Sequence, residues 1–174
     1  MTWLVCLCGG IASGKTTLAE ALQTALPNSA RLAFGDVVRR HVHAAGREPT
    51  RQNLQDMGLQ LITAGWMRFV DDLLIDLTDD PEVLIVEGIR HQGAVDALNG
   101  RLPTRKRLLI YLEVGRDQQR YRLARLGETE GSIDHEVERE VTDLRAIADL
   151  VVSSEQPVVE LVTMVRRIID HRPF

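Results

Sequence analysis

The sequence has no long apolar run, no basic excess and almost no cysteine. Its apolar runs fall well short of the roughly 20 residues that a membrane helix requires. The net charge is -4, whereas a protein that neutralises many nucleic-acid phosphates usually carries a basic excess. We therefore expect neither a membrane span nor a nucleic-acid partner.

The few cysteines are Cys6 and Cys8, two positions apart near the N-terminus. On a strand, alternate residues point to one face, and the strand neighbours here are Val and Leu. This favours core packing, and a redox or metal role is the alternative. The stretch "MTWLVCLC" is apolar but short, lacks a basic leader and runs into glycines, which predicts a buried strand, not a signal peptide. A cytoplasmic location is the default expectation.

Lysine is also scarce, since Lys15 and Lys106 are the only lysines among 21 basic residues. Lys15 lies in "GGIASGKTT", residues 9–17, which fits the pattern G-x-x-x-x-G-K-[ST]. A compact ammonium on a flexible stem suits such a loop better than the planar fork of arginine. The loop follows an apolar run and precedes leucines and alanines at helical spacing, which is the context that the motif requires.

A loop of this kind binds phosphate through its backbone. Its glycines let successive N–H groups turn inward, and the helix N-terminus adds partial positive charge. Lys15 would reach the β- and γ-phosphates of ATP, and the Thr16 hydroxyl would hold Mg²⁺. The alternative is an ordinary strand-to-helix turn. The predicted ATP-binding residues of the loop are Gly10, Ile11, Ala12, Ser13, Gly14, Lys15, Thr16 and Thr17.

A second polar residue ends a predicted strand, because Glu87 follows four apolar residues in "VLIVEG". P-loop enzymes place an acidic group near the metal at the end of a neighbouring strand. A carboxylate in an apolar strand needs a partner, which predicts Mg²⁺ or a metal-bound water for Glu87. A strand-end salt bridge is the alternative, and direct and water-mediated coordination both stay open.

Apolar runs alternate with helical patterns along the chain, which predicts an α/β fold with parallel strands. Near-continuous apolar runs suit strands that are buried on both faces of the sheet. We predict one P-loop domain over residues 1–174, a three-layer α/β/α sandwich around a five-stranded parallel sheet. The predicted strands are 2–8, 30–34, 82–88, 107–114 and 149–154.

Several helix boundaries are also predicted. Asp36 is placed to cap a helix that runs through Val42. A long helical pattern over 49–77 contains Gly58 and Gly65, which predict a kink or a split. Gly100 is expected to end the helix that follows the third strand.

The order of these motifs resembles the nucleoside monophosphate kinases, the adenylate kinase-like branch of P-loop kinases. "LAFGDVVRR" is similar to the family's "stGDmlR", which places Arg39 on an arginine that grips the acceptor phosphate. "LIVEGIRHQ" resembles "vlDGfPRt.xQ", which places Arg90 on another acceptor-site arginine and Gln92 on a residue that reads the acceptor base. "TRQNLQDMGLQLI" is also reminiscent of phage-type deoxynucleotide kinases.

The resemblance implies further site residues. "RYRLARLG" is similar to the arginine-bearing helix before the lid, so Arg122 and Arg125 would close over the transferring group, with Arg122 also contacting ATP. A short lid would cover about residues 126–134, and Arg139 beyond it is a further acceptor-site candidate.

The acceptor-binding helices would cover about residues 36–79, with Arg51 and Gln55 lining the pocket. The sequence departs from the family at Phe34, where Thr is frequent, and at Glu87, where Asp is usual. No proline precedes Arg90, and the lid has no cysteine for zinc.

Three functions are open at this point. The leading one is an ATP- and Mg²⁺-dependent kinase that phosphorylates a nucleoside or deoxynucleoside monophosphate, with Lys15, Arg90, Arg122 and Arg125 as catalytic residues. The second is a kinase with a hydroxyl acceptor, similar to dephospho-coenzyme A kinase, which requires a base such as Asp36. The third is a nucleotide-dependent regulatory switch. The sequence predicts neither the acceptor base nor the oligomeric state.

Overall fold

A computed structural model describes residues 1–125, 127 and 143–170 of the chain. The predicted lid at 126–134, apart from Gly127, lies outside the described residues, and so does Arg139.

The strands form one parallel sheet in the order β2-β3-β1-β4-β5. β1 is the central strand, flanked by β3 and β4. The carboxyl ends of parallel strands meet at one edge, so the residues that follow β1, β2 and β3 lie along that edge. The strands are β1 Trp3–Gly9, β2 Ser29–Ala33, β3 Val83–Ile89, β4 Lys106–Glu113 and β5 Leu150–Ser153.

Helices alternate with the strands, and residues 143–147 are helical as well. None of the helices in the described part of the chain has the length and hydropathy that crossing a bilayer requires. The helices are α1 Lys15–Ala25, α2 Phe34–Ala44, α3 Arg51–Thr63, α4 Trp66–Leu74, α5 Gln92–Arg101, α6 Arg116–Arg125 and α7 Val158–Asp170.

The sheet separates two apolar cores, as a three-layer sandwich requires. The side chains of β1 alternate between them: Leu4 packs on the side of α2, α4 and α5, and Val5 on the side of α1 and α7. Central strands of such a sheet are covered on both faces, which explains their continuous apolar runs. The predicted α/β fold with a five-stranded parallel sheet is confirmed.

Cys6 and Cys8 are buried in the core of the α2 side, as predicted. The Cys8 thiol donates to the backbone oxygen of Ile110 at 3.4 Å. Burial raises the pKa of Cys8 to about 12 and raises the pKa of Cys6 as well. The burial of both thiols suits the predicted core packing.

The predicted cap at Asp36 is wrong. β2 ends at Ala33, and the extended Ala33 is itself the N-cap of α2. No described side chain caps this helix, and Asp36 is its third residue. The aromatic Phe34 begins the helix instead of ending the strand, since its ring is drawn into the core beside Phe69.

The long pattern over 49–77 is split into α3 and α4, as one of its glycines predicts. Gly65 stands between the helices with a φ of 112°, a backbone angle that helix interiors exclude. Gly58 lies inside α3 and does not break it, because an interior glycine only weakens a helix that is packed on its neighbours. Gly100 does not end α5 either: the helix continues to Arg101 and Leu102 is its C-cap.

Candidate active site

The loop of residues 9–17, which we call the phosphate loop, connects β1 to α1. Gly9, Ala12 and Gly14 have φ values of 138°, 57° and 89°, so the backbone curls back on itself. A side chain at Gly9 would collide with the backbone oxygen of Leu112. No described side chain caps α1, which begins at Lys15, so its first N–H groups suit an anionic ligand.

The Lys15 side chain lies over the phosphate loop. Its ammonium group donates to the backbone oxygens of Gly9 at 2.8 Å and Gly10 at 2.6 Å, and to the Ser13 hydroxyl at 3.2 Å. Ser13, itself a residue of the loop, is fully buried, so the hydroxyl that accepts from Lys15 is shielded from water. The loop therefore combines one localised positive charge with backbone groups in a tight curve, an arrangement that suits the binding of a polyphosphate chain.

Glu87 lies at the end of β3, next to the phosphate loop. One of its carboxylate oxygens, Oε2, accepts from the Thr16 hydroxyl at 2.7 Å. The other oxygen, Oε1, accepts from Nη1 of Arg31, a residue of β2. The carboxylate is buried and makes a salt bridge, which was the alternative interpretation of Glu87. It also lies beside the Thr16 hydroxyl, and its binding of Mg²⁺ stays a prediction.

Helix α6 holds the phosphate loop from the other side. The amide of Gln119 donates to the backbone oxygen of Ile11 at 2.9 Å. Arg122, one turn later, donates to the backbone oxygen of Ala12 at 3.1 Å and to both Ser154 oxygens at 3.2 and 2.9 Å. The structure thus brings Arg122 to the loop.

Sequence reasoning missed Gln119, although it is buried and lies three residues before Arg122 on the same helix face. The spacing of three residues from Arg122 is the feature of the sequence that predicts a shared helix face. Arg125 belongs to a different environment, exposed at the end of α6, with its guanidinium carbon 5.9 Å from the centre of the Tyr121 ring.

The predicted acceptor residues lie on several elements. Asp36 accepts from Arg39 at 2.7 Å within α2, and their side chains are 61% and 53% exposed. Arg90 is half-buried directly after β3, and Gln92 is the exposed first residue of α5.

Arg51 and Gln55 are exposed on the first turns of α3. Thr50 caps that helix by accepting from the backbone N–H of Asn53 at 3.3 Å. The assignment of Arg51 and Gln55 to the acceptor pocket stays a prediction.

An aromatic cluster joins α2, α4 and the residue that precedes α5. Phe34 packs edge-on against Phe69 with ring centres 4.9 Å apart, and Trp66 stacks on Phe69 at 6.0 Å. Trp66 also lies 5.1 Å from the His91 ring, and only a glycine at 93 leaves room for its indole. Phe69 is buried in the core, whereas Trp66 is half-buried and packs against that core.

The oxygens of Thr16 and Glu87 suit Mg²⁺, which prefers hard oxygen ligands and retains several waters. Within residues 1–125, 127 and 143–170 there is no group of three or more His, Cys, Asp or Glu residues that could hold a metal ion by itself. These donors therefore fit a metal that shares its coordination with phosphate oxygens and water.

Comparison with solved structures shows the same fold in several proteins. A tunicamycin resistance protein from Deinococcus radiodurans is 16% identical with a TM-score of 0.68, covering 97% of this chain and 96% of that one. Shikimate kinase from Aquifex aeolicus vf5 is 17% identical with a TM-score of 0.61, covering 96% of each chain. Shikimate kinase from Acinetobacter baumannii, in complex with shikimate, is 18% identical with a TM-score of 0.61, covering 97% and 93%.

No curated protein matches the sequence. A family model described as "AAA domain" matches residues 5–143, which includes the phosphate loop, Glu87 and α6. Because that match spans most of the chain and the fold is shared with P-loop kinases, the chain belongs to this AAA domain family and has a kinase-like P-loop fold.

Proposed function

We propose that this protein is an ATP- and Mg²⁺-dependent phosphotransferase that acts on a small-molecule acceptor. One observation carries the proposal: the Lys15 ammonium and the hydrogen-bonded Thr16 and Glu87 pair meet at a single phosphate loop. The kinase-like P-loop fold supports the same reaction class.

The residues around the phosphate loop would act mainly by binding the nucleotide and neutralising its charge. Backbone amides of residues 10–17 would bind the phosphates, and Lys15 would offset the charge on the transferring group. Mg²⁺, held by Thr16 and Glu87, would neutralise phosphate oxygens when bound. Arg122 would add charge beside Ala12, and Gln119 would keep the loop in place.

For the acceptor, we propose a nucleoside or deoxynucleoside monophosphate. Arg39 and Arg90 would bind its phosphate, because guanidinium groups match phosphate oxygens in pairs. Gln92 and the half-buried Trp66 ring would face its base. A monophosphate is already an anionic nucleophile, so this acceptor needs no strong base.

A second acceptor class, a hydroxyl compound, is favoured by the position of Asp36. This carboxylate does not cap α2, and it is exposed at the sheet edge where β2 ends. A carboxylate held by Arg39 in such a place could accept a hydroxyl proton. The shikimate kinases that share the fold support a small acceptor that is not a nucleotide.

The deciding experiment is an acceptor panel incubated with ATP and Mg²⁺ and scored for new phosphorylated product. The panel contains ribo- and deoxynucleoside monophosphates, dephospho-coenzyme A and shikimate. A product from any one of them supports the proposal and names the acceptor class. Failure to bind ATP together with no product from any acceptor would refute it.

Asp36→Asn distinguishes the two acceptor classes. With a hydroxyl acceptor we expect kcat to fall about 10²- to 10⁴-fold while ATP binding is retained. With a monophosphate acceptor the loss should stay below about tenfold, since no base is removed. Asp117→Asn is the matched control, because Asp117 also lies in the first turn of a helix with an arginine three residues later.

A further inference from the structure

Arg31 is a charged residue in the middle of a strand, and the proposed reaction gives it no direct role. It pairs in register with Ile85 of β3, two positions before Glu87. Its side chain is only 25% exposed, and its guanidinium makes an ion pair with Glu87. A long charged side chain is seldom buried in this way without a charged partner.

Both carboxylate oxygens of Glu87 have hydrogen-bond donors within the chain. One carboxylate oxygen accepts from Thr16 and the other from Arg31. The carboxylate side chain is 6% exposed, so water contributes little to its solvation. A buried carboxylate without a compensating charge is costly, and the guanidinium provides that charge within the chain.

The same pair makes the bare site a poor one for a divalent cation. Glu87 and Arg31 together carry no net charge, and Lys15 adds a positive charge at the same loop. The described residues offer no cluster of three or more acidic, His or Cys ligands that could outweigh this. Phosphates would bring both the missing negative charge and the missing oxygen ligands.

We propose that Arg31 is a built-in counter-ion of Glu87 that keeps this carboxylate closed to metal until a nucleotide binds. Metal then enters with the phosphates and not before them. Arg31 is a positioning residue, since it acts through Glu87. This inference rests on the proposed use of Mg²⁺ and ATP, but it concerns the nucleotide-free protein.

The test titrates nucleotide-free protein with Mn²⁺, an ion that electron paramagnetic resonance detects directly, at a pH well above the carboxylate range. Wild type should bind Mn²⁺ weakly and indistinguishably from Glu87→Gln. Arg31→Gln, which keeps a hydrogen-bond donor but removes the charge, should bind Mn²⁺ at least about tenfold more tightly. Arg31→Lys keeps the charge and should resemble wild type.

Two further variants make the assignment specific. The double variant Arg31→Gln with Glu87→Gln should lose the gain in Mn²⁺ affinity. Arg107→Gln is the matched control. Arg107 is also a strand residue with an acidic partner, Asp149, and its side chain is 30% exposed. It lies near the start of β4, at the amino ends of the strands and therefore away from the phosphate loop. It should leave the Mn²⁺ titration unchanged.

The proposal is overturned if wild type already binds Mn²⁺ more tightly than Glu87→Gln, a comparison that does not depend on how Arg31→Gln folds. It is also overturned if folded Arg31→Gln shows no gain, or if Arg31→Lys gains as much as Arg31→Gln. ATP retention by wild type is scored separately. A chain that binds no ATP and phosphorylates no acceptor refutes the proposed function, while the Mn²⁺ titrations still decide the role of Arg31.

Discussion

The two ends of the proposed reaction are built differently. At the donor end, which comprises the phosphate loop with Glu87, Gln119 and Arg122, side chains from β3 and α6 hydrogen-bond directly to the loop. On the acceptor side, the ion pair between Asp36 and Arg39 is local to one helix and largely exposed. The other residues proposed for the acceptor side are Arg51, Gln55, Arg90 and Gln92.

This difference indicates how much each end depends on its ligand. The donor end has its charges and backbone angles fixed by contacts within the chain, so we expect the proposed binding of ATP to require little reorganisation. The residues proposed for the acceptor side lie on α2, α3 and α5 and on the connection between β3 and α5, which are separate parts of the fold. We therefore expect changes at the donor end to affect turnover strongly and changes on the acceptor side to affect acceptor affinity.

The largest effect should come from Lys15→Ala. Removing the ammonium above the loop should lower phosphoryl transfer by about 10³-fold, since a positioned charge at the transferring group is lost. Lys106→Ala is the control, because that lysine lies over the Trp3 ring, 4.7 Å from its centre, at the start of β4. Product formation should then change by less than about twofold. Equal losses in both variants would contradict the assignment.

The next effect separates two arginines of α6. Arg122→Ala should lower kcat by about 10²-fold, because it removes a charge that is bonded to the phosphate loop and to Ser154. Arg125→Ala should lower kcat less than about threefold, since its contact is with the exposed Tyr121 ring. Steady-state kinetics on both variants checks this. A loss for Arg125→Ala as large as that for Arg122→Ala would contradict this distinction between the two arginines.

Two glycine replacements, one in the phosphate loop and one in α3, compare how each end of the site contributes to the free energy of unfolding. Gly9→Ala should lower the free energy of unfolding by at least about 2 kcal/mol, through its φ of 138° and the collision with Leu112. Gly58→Ala in α3 should raise it by about 0.5–1 kcal/mol, since alanine favours a helix. No described heavy atom lies within 4 Å of the added methyl group. Urea unfolding measures both changes, and a stabilising Gly9→Ala would be inconsistent with the loop geometry.

At neutral pH the smallest effect belongs to Cys8, beneath the donor end, whose contribution to stability depends on pH only in alkaline solution. Above the ordinary Cys8 pKa of 9.0 the unfolded chain loses the thiol proton, whereas the folded chain retains it up to about 12. The unfolded state then binds fewer protons, so Cys8 should lower stability by about 1.4 kcal/mol per pH unit in that window. Cys6 adds a slope of the same sign.

Cys8→Ala should remove the Cys8 part of this slope. Below pH 9.0 the variant should be less stable by an amount that does not change with pH, because the buried sulfur is lost. Urea unfolding of both proteins across this pH range provides the comparison. Parallel pH profiles would mean that the Cys8 thiol titrates normally in the folded chain.

Local patterns predicted most of the fold. The apolar runs placed every described strand to within about two residues, because buried parallel strands need apolar side chains on both faces. The boundary errors have a common cause. Asp36 and Gly100 carry cap-like signals, but packing of Phe34 and of the last turn of α5 decided where those helices begin and end.

The candidate site also has a part that a local motif predicted and a part that only the structure reveals. The phosphate loop is one continuous segment, so its motif predicted its members together. Gln119 and Arg31 reach the site from α6 and β2, and no motif contains them. Their roles follow from which face of α6 turns toward the loop and from β2 lying beside β3.

The sequence by itself determined the parallel α/β sheet, the curled loop and its lysine, since these depend on residues that are neighbours in the chain. Tertiary structure alone decided which of the α6 arginines reaches the loop and which cation pairs with Glu87. Those choices depend on strand order and helix rotation, which bring together residues that are far apart in the chain.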